Sequence, residues 1–277
     1  MADMHILVGY DGSAGATEAL TWAAREARAR DSLLTVCLVQ APELAASPVT
    51  ATAGGESFTA EQHLAAGLKL ARGIAGQESV KPLLADGPIA ATLCDRSGEA
   101  DMVVVGSRGH GGMPGLPVGS VGLQVASHGR GRIVVVRGNW QPVPGHSPLP
   151  VVAGVDGSSS SGAALAFAFE EAELRHTYLV AVCALADDPG VLGAAGRIKE
   201  SFEDLVSHHE RQNPDISVER RVSQGSPRAT LLEAAAAAQM IIVGARGRGG
   251  FEDMAIGSVG LAVLAYAGCP VGVEHPR

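Results

Sequence analysis

IIVGARGRGGFEDMAIGSVG, residues 241–260, decides the reading of this chain, because VVVGSRGHGGMPGLPVGSVG at 103–122 is the same motif 138 residues earlier. A second pair frames it: ILVGYDGS at 6–13 returns as VVAGVDGS at 151–158, 145 residues on. Solenoid repeats recur every 20 to about 50 residues, so each copy here is a whole domain. The two offsets differ by a seven-residue length change lying between the motifs. Between the copies runs GNWQPVPGHSPLP, 138–150, whose four prolines and two glycines cannot hold a helix and read as a linker. The expected organisation is one domain at 1–137, a linker at 138–150 and a second domain at 151–277.

Within each copy, short β-rich runs alternate with longer helical stretches. The expected strands are 5–10, 33–39, 80–85, 102–106 and 133–137 in the first copy, and 150–155, 178–184, 217–223, 240–244 and 270–274 in the second. Helices fall between them. From Ala16 to Arg30, for instance, Ala16, Ala19, Leu20, Ala23 and Ala27 make one apolar stripe. Continuous apolar strands separated by helices imply an α/β fold: two tandem open, parallel, five-stranded sheets with helices on both faces.

Composition narrows the partners. Of the 277 residues, 46% are apolar and only 4% aromatic, so the core is built mainly of Ala, Val, Leu and Ile. A balance of 21 Lys+Arg against 29 Asp+Glu gives a net charge of −8, which argues against a nucleic-acid-coating face. The start of the sequence, MADMHILVGYDGS, lacks a basic segment followed by an apolar one, and no apolar run reaches the 18 to about 20 residues of a membrane span. A non-exported, cytoplasmic protein is expected. Cys37, Cys94, Cys183 and Cys269 lie far apart in apolar surroundings and read as buried reduced thiols.

The 36 glycines far exceed the average of about 7%, and many cluster at strand ends. In an open parallel sheet, ligands bind beyond the carboxyl ends of the strands, where the strand order reverses. Gly106-Ser-Arg-Gly109-His-Gly-Gly112 leaves one such strand and reaches Gly119-Ser120 at a helix start; Gly244, Gly247 and Gly257-Ser258 repeat the spacing. Backbone N–H groups free of Cβ atoms, together with a helix N-terminus, suit phosphate. Asp11 and Asp156 read equally as Asx-turn or cap residues and as ligand contacts. Arg108, Arg246 and Arg248 read either as solvated or as phosphate partners. His110 replaces the arginine at the matching place in the second copy, and His208-His209 lies on a polar helix; neither is given a metal or catalytic role.

With those glycines, GxDGS, Gly87-Pro88, Gly225-Ser226-Pro227 and Cys269-Pro270 in view, the sequence resembles the universal stress protein family, in its tandem form and ATP-binding subgroup, over nearly the whole chain. The resemblance implies a Rossmann-like fold of the adenine nucleotide alpha hydrolase type. It also implies a bound adenine nucleotide: ATP, or AMP or ADP in its place, accompanied by Mg2+. Gly9, Asp11 and Val39, and Gly154, Asp156 and the Leu185–Asp187 stretch, would border adenine and ribose. The loops with Gly106, Arg108, Gly109, Gly111 and Gly112, and with Gly244, Arg246, Gly247, Gly249 and Gly250, would wrap ribose and phosphates. Gly119, Ser120, Gly257 and Ser258 would donate to the phosphates. The implied assembly is an intramolecular pseudo-dimer or a homodimer with a protein partner.

Departures sit mainly in the first copy. Pro114 and Pro117 stand inside its nine-residue loop, and its last strand begins HGRGRIVVV against YAGCPVGVE, where Gly272 and Glu274 interrupt the strand that the family uses for pairing. No GxxxxGK[ST], GxGxxG after a strand, GxSxG or HExxH is present. The expectation is a protein that holds nucleotide and transmits its occupancy. Slow ATP hydrolysis or phosphoryl transfer and a nucleotide-free interaction scaffold are the alternatives.

Overall fold

In the computed structural model, which describes residues 4–40, 59–110, 117–137, 149–185, 195–248 and 255–276, the apolar runs form strands, and every described pairing within a copy is parallel. The chain divides into two compact units, Met1–Gly138 and Asn139–Pro276. Most of the expected linker lies outside the described residues.

The first unit runs β1 (His5–Gly9), α1 (Ala14–Arg30), β2 (Leu33–Gln40), α2 (Ala60–Ala75), β3 (Val80–Asp86), α3 (Ile89–Arg96), β4 (Met102–Gly106), α4 (Ser120–His128) and β5 (Arg132–Val136), with strands in the order β3-β2-β1-β4-β5. The second runs β6 (Val151–Gly154), α5 (Ser159–Leu174), β7 (Leu179–Leu185), α6 (Ala195–Gln212), β8 (Val218–Gln224), α7 (Pro227–Ala236), β9 (Met240–Gly244), α8 (Ser258–Tyr266) and β10 (Val271–Glu274), ordered β10-β9-β6-β7-β8. In each, the chain moves outward from the first strand and then returns to its other side. The order therefore reverses between β1 and β4, and between β6 and β9. In the register, Ile6 stands opposite Leu34 and Met102 and Val8 opposite Val36 and Val104 on one face, while Leu7, opposite Thr35 and Val103, takes the other; all three are buried, so the central strand is apolar on both faces.

Right-handed crossovers put α1 and α2 on one face and α3 and α4 on the other, and each pair is in contact. The Ala16, Ala19, Leu20, Ala23 and Ala27 stripe is buried as expected. The helix begins at Ala14 rather than Ala16 because Ser13 Oγ accepts from the Ala16 N–H at 3.1 Å, and it ends at Asp31 in the left-handed region (φ 50°). Trp22 and Glu26 are buried as well, so α1 is covered more widely than its stripe implied. Glu26 meets Arg30 at 2.8 Å, and the second unit repeats the pair as Glu171 with Arg175.

One cysteine departs from expectation. Cys37, Cys183 and Cys269 are buried free thiols, but Cys94, near the end of the short α3, is only partly buried. Among the described residues no helix is long and apolar enough to cross a membrane.

Candidate functional site

At the first unit's reversal point, two backbone segments lean on each other. Beyond β1, the Asp11 carboxylate accepts from the Ser13 N–H at 2.9 Å through Oδ1 and from the His110 N–H at 3.3 Å through Oδ2. Asp11 thus makes the Asx turn that starts α1 and also ties down the loop that leaves β4. The second unit repeats the arrangement. Asp156 Oδ1 accepts from the Ser158 N–H and hydroxyl at 3.0 and 2.6 Å, and Oδ2 accepts from the Arg248 N–H at 2.8 Å. The turn reading of both aspartates is therefore realised, and a loop-clamping role is added to it.

What stands over each glycine separates the motif into roles. A Cβ on Gly109 or Gly247 would lie 2.5 Å from the Asp11 or Asp156 carboxylate oxygen. On Gly106 it would meet the Gly15 backbone at 2.7 Å, and on Gly244 the Ser160 Oγ at 2.5 Å. Gly9 and Gly154 are crowded from the opposite face by Leu93 at 3.0 Å and Leu231 at 3.1 Å. These six glycines let helices and loop close onto the strand ends. Gly119 and Gly257 differ, because their nearest neighbours are a backbone oxygen at 3.4 Å and at 3.7 Å respectively. A Cβ at either would stand in ordinary van der Waals contact with the loop backbone.

Those two glycines begin α4 and α8, and neither helix start carries a side-chain cap. By contrast, α1 and α5 are closed by Ser13 and Ser158. Gly119 donates to the Ser107 carbonyl at 2.7 Å and Gly257 to that of Ala245 at 2.8 Å, which holds each open helix start beside its strand end. An uncapped first turn presents N–H donors and partial positive charge. Ser120 and Ser258, first in each helix, add hydroxyls. Exposed Arg108, Arg246 and Arg248 stand in the adjacent loops. In the first unit, Pro117 lies just before this helix start, its carbonyl accepting from Arg137 at 3.3 Å.

Val39 is half-buried next to the end of β2, paired with Ala85. Gly87 and Gly225, at φ 137° and 124°, donate to the Gln40 and Leu185 carbonyls at 2.9 Å and close the neighbouring strand ends. Gly111, Gly112, Pro114, Asp187, Gly249 and Gly250 lie outside the described residues. Beneath the site, burial pushes the Cys37 thiol up to about 11, against a smaller opposing effect of Arg96. Burial, helped by the Asp156 charge, does the same for Cys183, also to about 11. Among the described residues no three His, Cys, Asp or Glu are grouped to hold a metal ion.

Sequence reasoning missed three participants. Gly15, in the first turn of α1, lies under the Arg108 carbonyl so closely that no side chain fits. Tyr10 is buried against Gly67 of α2. His63 of α2 covers Gly12. The glycine two residues after the GxDGS motif was a readable sign of the first; the other two depend on how α2 docks.

The fold and the duplication agree with three comparisons. The profile of the Universal stress protein family matches residues 4–137 and 149–273. A universal stress protein of Mycolicibacterium smegmatis is 37% identical, aligned over 98% of this chain and 97% of that protein. One of Mycobacterium tuberculosis is 32% identical over 99% and 97%. The crystal structure of a universal stress protein from Archaeoglobus fulgidus superposes with a TM-score of 0.65 over all of both chains, at 17% identity, and so speaks to the fold alone. With both repeats matched separately and relatives aligned nearly end to end, this chain belongs to the universal stress protein family.

Proposed function

We propose that each unit holds an adenine nucleotide, ATP with its Mg2+, and that occupancy biases a conformational or oligomeric state read by a protein partner in a cytoplasmic stress response. One observation carries this reading: in both units the helix that follows the glycine loop starts on a glycine, Gly119 or Gly257, with no side-chain cap on its first-turn N–H groups. A phosphate oxygen is the size and charge that such donors accept. The N–H groups and hydroxyls of Ser120 and Ser258 bind the phosphates, and the loops beginning at Gly106 and Gly244 wrap ribose and phosphate. Gly9, Asp11 and Val39 border the base in one unit, and Gly154, Asp156 and Asp187 in the other. Mg2+ comes with the phosphates, as it commonly does where the protein offers few carboxylates. Free, largely buried thiols suit the reducing cytoplasm.

The chain's own residues bind and orient; none is assigned a chemical step on the nucleotide. Binding shifts a state only through differential affinity for the two conformations. The test is a mass spectrum of protein denatured straight after purification, followed by calorimetric titration with Mg–ATP. Co-released adenine nucleotide, or saturable ATP binding by the stripped protein, is the expected result. Absence of both overturns the reading.

A further inference from the structure

At the amino ends of the first unit's strands, away from the glycine loop, lies a cavity of about 240 Å3. β1 runs from His5 at this end to Gly9 at the candidate nucleotide site, about 13 Å of strand. Leu7, Thr35 and Lys81 stand in one row across β1, β2 and β3 and so share a face of the sheet, with Leu83 two residues further on the same face. The end of α3 and the loop after it add Arg96 and Glu99 to the lining. Leu7 is buried and Leu83 half-buried, which gives the cavity an apolar floor.

The polar groups over that floor satisfy one another, with one exception. His5 Nε2 meets Thr35 Oγ1 at 2.8 Å, and Arg96 Nη1 meets Glu99 Oε2 at 3.1 Å. The exposed Lys81 ammonium has neither a hydrogen bond nor an ion pair among the described residues. Because Arg96 and Glu99 cancel in charge, Lys81 is the uncompensated cation of the cavity.

The second unit builds the same fold without this arrangement. At the matching positions, 145 residues on for β1 and β2 and 138 on for β3 and α3, His5, Thr35, Lys81, Arg96 and Glu99 become Pro150, Val180, Glu219, Ala234 and Ala237. Leu83 becomes Arg221, which pairs with Glu219 through two contacts of 2.7 and 3.2 Å along β8. The second edge strand thus neutralises itself, whereas the first leaves a lone ammonium beside leucines. The fold does not require that pairing of charge with apolar surface.

We propose that this cavity is a binding site for a small monocarboxylate with an apolar body, distinct from the nucleotide site. One uncompensated cation calls for a single anionic group, which the Lys81 ammonium takes as a charge-assisted hydrogen bond. Leu7 and Leu83 receive the apolar part. The volume equals that of about eight waters, hence one molecule of similar atom count, and it falls below the 300 to about 1,000 Å3 that encloses a drug-sized ligand. That size excludes a nucleotide. The site stands whether or not either unit holds nucleotide.

Ligand-observed NMR titration of the full chain with benzoate as the probe tests it, with benzamide as the uncharged control of the same shape. The expected result is saturable one-to-one binding with Kd on the order of 1 mM, in the range that so small a ligand reaches. Benzamide should bind about tenfold more weakly, and Lys81→Gln should weaken benzoate by a similar factor. Lys81→Glu combined with Leu83→Arg, which writes the second unit's pair onto β3, should abolish binding. β3 is an edge strand and Lys81 is exposed on it; where the double variant does not fold, Lys81→Gln decides. Benzoate binding unchanged by Lys81→Gln, or matched by benzamide, overturns the proposal. So does displacement of benzoate by saturating Mg–ATP, which would place the anion at the nucleotide site, or absence of saturable binding up to about 20 mM benzoate.

Discussion

A glycine's role is set by what stands over it, and the motif contains two kinds. Gly247 faces the Asp156 carboxylate at 2.5 Å, so an alanine there must push apart the turn and the loop that Asp156 joins. At Gly257 a Cβ would meet nothing nearer than a backbone oxygen at 3.7 Å, and its φ of −70° suits any residue. Gly247→Ala should therefore lose about 1–3 kcal/mol through the broken charge-assisted bond, whereas Gly257→Ala should lose under about 1 kcal/mol as a poorer N-cap. Urea midpoints check the order, and equal losses would remove the distinction between closing and cradling glycines. Spacing in the sequence brought the right glycines together. It could not divide them, because the divider is an atom contributed by another segment: Asp156 for Gly247, Gly15 for Gly106. Likewise Gly272, read in sequence as an interruption of the strand that the family uses for pairing, is small because Met240, Ile242 and Phe167 each stand 3.0 Å from its Cβ position.

Elements were legible where periodicity carries them. The strands at 102–106 and 240–244 fall as expected, and the ends of the other strands shift by no more than one residue according to which backbone group finds a partner. Helix α1 shows what periodicity hides. Its alanine stripe announced the sheet-facing side, but the buried Glu26–Arg30 pair, repeated as Glu171–Arg175, looks in sequence like ordinary solvated charge. Glu171 is fully buried and the Arg175 side chain is 14% exposed; removing Glu171 takes away the carboxylate that the guanidinium binds. Glu171→Ala should cost about 3–5 kcal/mol in a denaturant melt, and a loss near zero would show Arg175 reaching water instead. The strands supply a pH prediction. Cys37 and Cys183 have thiols raised from 9.0 to about 11, so the fold favours the protonated form. That contribution is fully present below pH 9 and is lost as pH rises toward 11, on the order of 2 kcal/mol for each thiol. Urea midpoints should fall over this window, and fall less in a Cys37→Ala, Cys183→Ala double variant. At pH 8, Cys94 should react with a thiol reagent well before either.

Duplication makes the whole molecule its own control, since each unit holds one sheet, one Asp-clamped loop and one open helix start. The domain boundary proposed from the prolines and glycines of 138–150 then has a thermodynamic meaning: the residues proposed for each site lie on one side of it. The second unit is the better candidate for independence, because its core includes the three largest fully buried side chains among the described residues, Phe167, Phe169 and Phe202. Its length is also in the range where single domains bury enough surface to fold. Residues 149–277 expressed alone should unfold cooperatively, with a urea m-value near half that of the full chain, because m scales with the surface exposed. They should bind one equivalent of Mg–ATP where the full chain binds two, with Gly257→Ala lowering the full-chain count to one. A second unit that folds alone but binds nothing would mean that the site needs residues from beyond 149. One that remains unfolded would mean that the duplicated halves stabilise one another, and 138–150 would then join two parts of one folding unit.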